Sequence, residues 1–182
     1  MQEAVDSEWD CFTRAQRGDE MACRVLLARH RTRLAALALF VTGSAAAADE
    51  VVQETFVRAL RARIRHTSGT VRGFLGTIAY RLAVKEAVRL QRSVGLDRAD
   101  TAGSDPGALE RVLSEERDRL VAEAITGLDT EHRDVLVLRF YGGHSYDEIA
   151  ETLGIPLGTV KSRMFNAVKS CRGTLKEKGV LR

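Results

Sequence analysis

The stretch that decides the fold runs from Ser145 to Ala167, SYDEIAETLGIPLGTVKSRMFNA. Ser145 and Glu148 stand at S-x-x-E spacing, which predicts a capping box in which each side chain satisfies a backbone donor at a helix start. Ile149, Ala150 and Leu153 follow at helical spacing and form that helix's inner face. Gly154 is placed to take the left-handed conformation that closes it, and Pro156 suits the opening of the next helix because it has no N–H to leave unpaired. The reading is helix, three-residue turn, helix. Along the second helix Leu157, Val160, Met164, Ala167 or Val168, Cys171 and Leu175 fall three and four residues apart, the pattern of a buried stripe. Thr159, Lys161, Ser162, Arg163, Phe165, Asn166, Lys169 and Arg172 are left facing outward. Such a face carries what major-groove edges require: Arg and Lys for guanine or phosphate, Asn for adenine, Phe for a thymine methyl. A solvated basic helix, or an αα-hairpin inside a bundle, has the same periodicity, so this stretch alone marks a DNA-binding module and nothing more specific.

Upstream, the same helical language continues. Ala, Leu, Arg and Glu recur through the 182 residues, aromatic residues make up 5% and there are two prolines, a composition that argues against a β-sandwich. The fold class is therefore read as all-α. An amphipathic pattern covers Asp19 to Phe40 and breaks at Thr42, Gly43 and Ser44. ADEVVQETFVRALRARI then sets Val51, Val52, Thr55, Phe56, Ala59 and Leu60 on one side and Asp49, Glu50, Gln53, Glu54 and Arg58 on the other. After turn chemistry from His66 to Gly73, FLGTIAYRLAVKEAVRLQR turns Leu75, Ile78, Ala79, Leu82, Ala83 and Val88 inward and Arg81, Lys85, Arg89 and Arg92 outward. From Ser93 the chain changes to Gly, Asp, Ser and Thr, and periodicity resumes near Ala108. Two small helical domains are expected, residues 1–92 and 108–182, joined by a flexible linker over 93–107.

Charge sorts along the chain. Between Arg61 and Arg92 eight Lys/Arg face one acid, Glu86, and between Pro156 and Arg182 seven face one, Glu177. With a net charge of +3 overall, the remainder is acidic, and the two basic blocks suggest two separate polyanion contacts. Cys11, Cys23 and Cys171 form no C-x-x-C pair and leave an odd count, which fits reduced thiols in a cytoplasmic protein rather than a disulfide framework or zinc ribbon. The N-terminus is acidic without an apolar core, and the longest apolar run, Leu34 to Val41, is far short of the roughly 20 residues a span needs. Neither export nor membrane insertion is expected. Asp49, Glu50 and Glu54 lack the further ligands that would close a metal site, and no metal or cofactor is expected.

DEVVQETFVRAL (Asp49 to Leu60), FLGTIAYRLAVKEAVR (Phe74 to Arg89) and LDTEHRDVLVLRFYGGHSYDEIAETLGIPLGTVKSRMFNAVK (Leu128 to Lys169), in this order and separation, resemble bacterial RNA polymerase sigma factors of the two-domain extracytoplasmic-function (ECF) group. The likeness covers about Asp19 to Leu175. It implies that the first domain corresponds to sigma region two and the second to region four, and that the protein is not an enzyme but directs core RNA polymerase to promoters and assists their opening. By the same resemblance Asp49, Glu50, Val52, Gln53, Glu54 and Phe56 lie in the helix that docks on the coiled coil of the polymerase β′ subunit. Arg65, His66, Arg72, Arg81, Lys85, Arg89 and Arg92 would bind the melted minus-ten element, with the His66 to Gly73 loop capturing a flipped base. Thr159, Lys161, Ser162, Arg163, Phe165 and Asn166 would read the minus-thirty-five element in the major groove. The linker, with Asp97, Asp100 and Asp105, would thread along the polymerase channels; core RNA polymerase, through its β′ and β subunits, and promoter DNA are the implied partners, and an anti-sigma factor is the implied regulator. Three positions depart from the family pattern: Arg81 stands where Asn is common, Lys85 where Asp is frequent, and Asn166 where Arg is frequent. Two rivals set the contrast. A stand-alone helix-turn-helix regulator leaves the acidic helix at Asp49 unexplained, and a helical hydrolase built on Glu50, Glu54 and His66 lacks a supporting catalytic spacing.

Overall fold

The computed structural model describes residues 2–62, 69–94 and 116–180, and among these there is no strand. The helices are α1 (Gln2–Gln16), α2 (Glu20–Thr42), α3 (Ala45–Arg61), α4 (Val71–Val94), α5 (Glu116–Thr126), α6 (Thr130–Val137), α7 (Tyr146–Leu153) and α8 (Leu157–Glu177), with a π-helical turn, Leu138–Gly142, between α6 and α7. The linker reading falls mostly on residues outside this set.

Each boundary in the first half has a local cause. The Asp19 side chain accepts from the Ala22 N–H at the start of α2, and Gly43, at φ 69°, closes it. Ser44 then caps α3 by accepting from the Ala47 N–H, so the Thr42–Ser44 break lies where its residue chemistry puts it. Helices α2, α3 and α4 pack on one another through Leu26, Leu34, Leu37, Val51, Phe56, Ala59, Leu75, Ala79 and Ala83, all buried. The N-terminal segment, which the sequence reading leaves unassigned, is helical and adds Trp9 and Phe12 to this core. Their rings meet edge to face at 5.6 Å, and Phe12 meets Phe74 in the same manner at 5.7 Å.

In the second half the capping box forms as expected: Glu148 N–H donates to Ser145 Oγ at 3.2 Å, and Ser145 N–H to Glu148 Oε2 at 2.7 Å. Gly154 takes φ 65° and closes α7. Pro156 is the N-cap of α8 rather than its first helical residue, a shift of one position. Val160, Met164, Ala167 and Leu175 are buried, whereas Val168 is exposed, so the inner stripe passes through Ala167.

The two halves pack directly on each other. Gly76 of α4 lies against Gly142 so closely that a Cβ at Gly76 would stand 2.6 Å from the Gly142 carbonyl oxygen. Around this backbone contact, Tyr80 O–H donates to Asp134 at 2.8 Å, Thr77 Oγ1 lies 2.9 Å from His144 Nε2, Arg72 donates to the Phe140 carbonyl, and the rings of Phe40 and Tyr141 meet at 5.1 Å. The Gly142–Gly143 pair, readable as a helix stop, is thus also the place where the second half fits into the first.

Candidate nucleic-acid interface

Helix α8 presents the expected polar face. Lys161, Ser162 and Asn166 are exposed, and Phe165, 68% exposed, has no aromatic neighbour among the described residues. Thr159 is half-buried, and the Ser162 hydroxyl donates to its carbonyl at 3.0 Å. Pro156 offers no side-chain cap, which leaves first-turn N–H groups and the positive end of the helix dipole available to an anion. Arg163 differs from its neighbours: its guanidinium is bound to Glu131 of α6 at 2.7 Å and its side chain is only 23% exposed.

Helix α3 carries the acidic face. Asp49, Glu50 and Gln53 are exposed, and Glu54 is half-exposed with its carboxylate on Arg58 at 2.6 Å, one turn along. Asp49 has Arg31 only at 3.7 Å. Val52 and Phe56, grouped with them in the sequence reading, are 3% and 7% exposed: they fix the helix to the core and present no surface to a partner.

On α4, Arg81, Lys85, Arg89 and Arg92 are all exposed on a common basic helix surface. Arg89 holds Glu86 through three N–H···O contacts, and this hydrogen bonding keeps the Glu86 carboxyl below its usual pKa. Arg72 does not share this setting. It lies at the packed junction, its side chain pressed across Gly143, where a Cβ would meet its Cδ and Nε at 2.6 Å. Arg65 and His66 lie outside the described residues, as does most of the proposed base-capturing loop; its end, Gly69, accepts from Trp9 Nε1–H at 3.1 Å.

The sequence reading missed α1 as part of this surface. Trp9 anchors the loop end, and the Gln16 amide caps the C-terminus of α3, donating to Ala62 O at 2.7 Å with Ala59 O and Leu60 O at 3.3 and 3.4 Å. The signal was present: Trp9, Phe12, Ala15 and Gln16 have helical spacing. The three cysteines are free and half-buried, and burial pushes the Cys171 thiol above its usual pKa, away from the reactive thiolate. Among the described residues no group of His, Cys, Asp and Glu side chains is placed to hold a metal, and no helix is long and apolar enough to cross a membrane.

Comparison with known proteins agrees with this layout. Residues 26–93 match the model of Sigma-70 region 2, and residues 124–173 that of Sigma-70 region 4. Over 164 residues, 87% of this chain and 92% of the relative, the sequence is 38% identical to the ECF RNA polymerase sigma factor SigL of Mycobacterium tuberculosis. Over 169 residues it is 32% identical to the ECF RNA polymerase sigma-E factor of Escherichia coli, covering 85% of this chain and 86% of that one. Among solved structures, CnrH in complex with the cytosolic domain of CnrY superposes with a TM-score of 0.60 at 27% identity, over 92% of this chain and 96% of the other. The sigma factor RpoE of Bartonella quintana, crystallised with the anti-sigma factor NepR, shares the fold at a TM-score of 0.63 and 21% identity, over 84% of this chain and 96% of that one. An acidic helix, a basic helix beside it and a capped helix-turn-helix, in the order of both sigma regions, make this chain a member of the ECF family of RNA polymerase sigma factors.

Proposed function

We propose that this sigma factor divides its work by helix face: α3 docks on core polymerase, α4 holds the melted minus-ten element, and α8 reads the minus-thirty-five element. The observation that carries the assignment is the opposite charge of neighbouring exposed surfaces. Asp49, Glu50, Gln53 and Glu54 offer acceptors on α3, which suit Arg and Lys of a partner helix on the β′ subunit. Arg81, Lys85, Arg89 and Arg92 offer cations on α4, which suit a separated DNA strand. Two contacts of opposite sign need two partners, polymerase and DNA. The chain works in the cytoplasm without catalysis of its own, with residues 1–92 and 108–182 as its two domains and 93–107 as the tether, and with the β′ and β subunits of core polymerase as its partners. An anti-sigma factor holds it inactive; the CnrH and RpoE complexes are the support for that partner.

The test is run-off transcription with purified core polymerase on a genomic promoter library. The wild-type chain gives promoter-dependent initiation above core alone. Asp49→Arg combined with Glu54→Arg lowers holoenzyme formation at least tenfold, while the isolated second domain's DNA binding, which this helix does not touch, is measured as the control. Unchanged polymerase association in the double variant removes α3 from the interface.

A further inference from the structure

At the junction of the two halves a cleft of about 510 Å³ is lined by Arg33 of α2, Arg72 of α4, and Arg139, Phe140, Tyr141 and Gly143 of the π-turn. Three guanidinium groups from three elements converge on it. Their own partners do not neutralise them. Arg72 donates to the Phe140 carbonyl and Arg139 to the His144 carbonyl at 2.8 Å, both uncharged acceptors. The Arg72 Nε is buried without a hydrogen-bond partner, and Arg33 has neither ion pair nor hydrogen bond among the described residues. Glu8, the acid that acts on Arg72, is itself engaged by Arg29 at 3.0 Å and lies 3.3 Å from His30.

Arg33 and Arg139 are exposed and Arg72 is half-buried, so water screens part of their repulsion, and an anion seated between them would relieve the rest. Burial, then the neighbouring charges of Arg33 and Arg139, push the Arg72 pKa down, so the site as built opposes its own charge. Planar guanidinium forks suit the oxygens of a phosphate, which accepts from several at once. Phe140, 57% exposed at the rim, adds a flat apolar surface on which a base can stack. The volume lies within the range of small-molecule sites.

We propose that this cleft binds a phosphate-bearing small anion, of the nucleoside polyphosphate class, that bridges the two halves and favours their packed arrangement. Arg33 and Arg72 come from the first half, Arg139 and Phe140 from the second, so the ligand's affinity depends on the two being together. By linkage, occupancy stabilises the packed form.

The test titrates the full chain with inorganic tripolyphosphate, with adenosine triphosphate, and with a single-stranded oligonucleotide, by calorimetry. The nucleotide binds at one site per chain. Arg33→Glu, an exposed position outside the promoter-contact surfaces, weakens it at least tenfold, whereas Arg81→Gln, an exposed arginine that does not line the cleft, changes it less than twofold. Phe140→Ala weakens the nucleotide but not tripolyphosphate. Distance measurements between the two halves report a larger packed fraction on adding nucleotide, and no response in Arg33→Glu. Absence of saturable binding, equal losses in Arg33→Glu and Arg81→Gln, or binding of the oligonucleotide alone at this cleft each overturn the proposal. None of these outcomes bears on promoter-directed transcription, which has its own assay.

Discussion

Arg163 sits on the polar side of α8, yet its guanidinium is bound to Glu131 rather than free for DNA. Magnitudes decide which partner wins. Glu131 is 67% exposed, and an ion pair of that kind contributes roughly 0–1 kcal/mol, whereas a bidentate contact to guanine discriminates by about 1–3 kcal/mol. If Arg163 reads the upstream element as proposed, that contact outweighs the bridge, which then serves as a holding position. Arg163→Ala is expected to weaken recognition of the upstream element by about 1–3 kcal/mol, and Glu131→Gln to strengthen it a few-fold by removing the competitor. In the double variant the Glu131 effect disappears, because the two residues act through one contact. Transcription from promoters with matched and mismatched upstream elements measures all three. Equal losses on every upstream sequence would assign Arg163 to phosphate rather than base.

Elements fall into those whose ends are written locally and those whose role depends on a distant partner. The Ser145–Glu148 box, Gly154 and the Gly43–Ser44 break were legible because a cap is a contact between residues three or four apart. The exposed faces of α3, α4 and α8 were legible for the same reason, since periodicity sorts them without knowledge of the rest of the fold, except at Val88, which the spacing turns inward and the structure leaves exposed. What periodicity did not disclose is what a face meets. Val52 and Phe56 belonged by sequence to the docking segment and by packing to the core, and Arg72 belonged by sequence to the basic block and by packing to the junction. The π-turn was hidden as well, because a one-residue widening of a helix leaves its apolar pattern nearly unchanged. Helix α1 was the largest omission, and Gln16 measures its importance. Its amide serves the C-terminal carbonyls of α3, orphans by helix geometry, across more than forty residues of sequence. Gln16→Ala is expected to cost about 1–2 kcal/mol in urea denaturation. Gln16→Glu should cost more, because a carboxylate cannot donate and faces the negative end of the α3 dipole. No change in either variant would mean that water replaces the amide at no cost.

At the scale of the whole molecule, the two halves meet through a glycine contact, the Phe40–Tyr141 ring pair, a few polar pairs and buried apolar residues that run continuously from one half into the other. The titratable centre of this junction is His144, 1% exposed. Nδ1 can only donate to the Leu138 carbonyl at 3.1 Å, and Nε2 faces Thr77 Oγ1, whose hydroxyl lies 3.0 Å from the Gly73 carbonyl as well. The Thr77 proton can serve either acceptor, so the hydrogen bonds accommodate both charge states and do not choose between them. Burial chooses: it lowers the His144 pKa, and the charge of Arg72 lowers it further, against the opposite pull of the Leu138 carbonyl and Glu148. Packed, the ring is neutral; released, it titrates near its ordinary value of about 6.5. The released state therefore binds protons more readily below that pH, and the packed arrangement loses stability as pH falls through this window and on toward the depressed value. His30 shifts in the same direction, also chiefly by burial, but it faces Glu8 and Arg29 within the first half and contributes to that half's stability instead. The two effects separate by readout. Lowering the pH from 7.5 to 5.5 is expected to reduce the packed fraction measured by the distance between the halves, and His144→Asn, which keeps a donor and an acceptor but cannot take the charge, is expected to abolish that dependence. A variant that still opens on acidification would move the cause to another group whose pKa the packing lowers; Asp134 is not such a group, because burial raises its pKa and its protonation favours the packed form as pH falls.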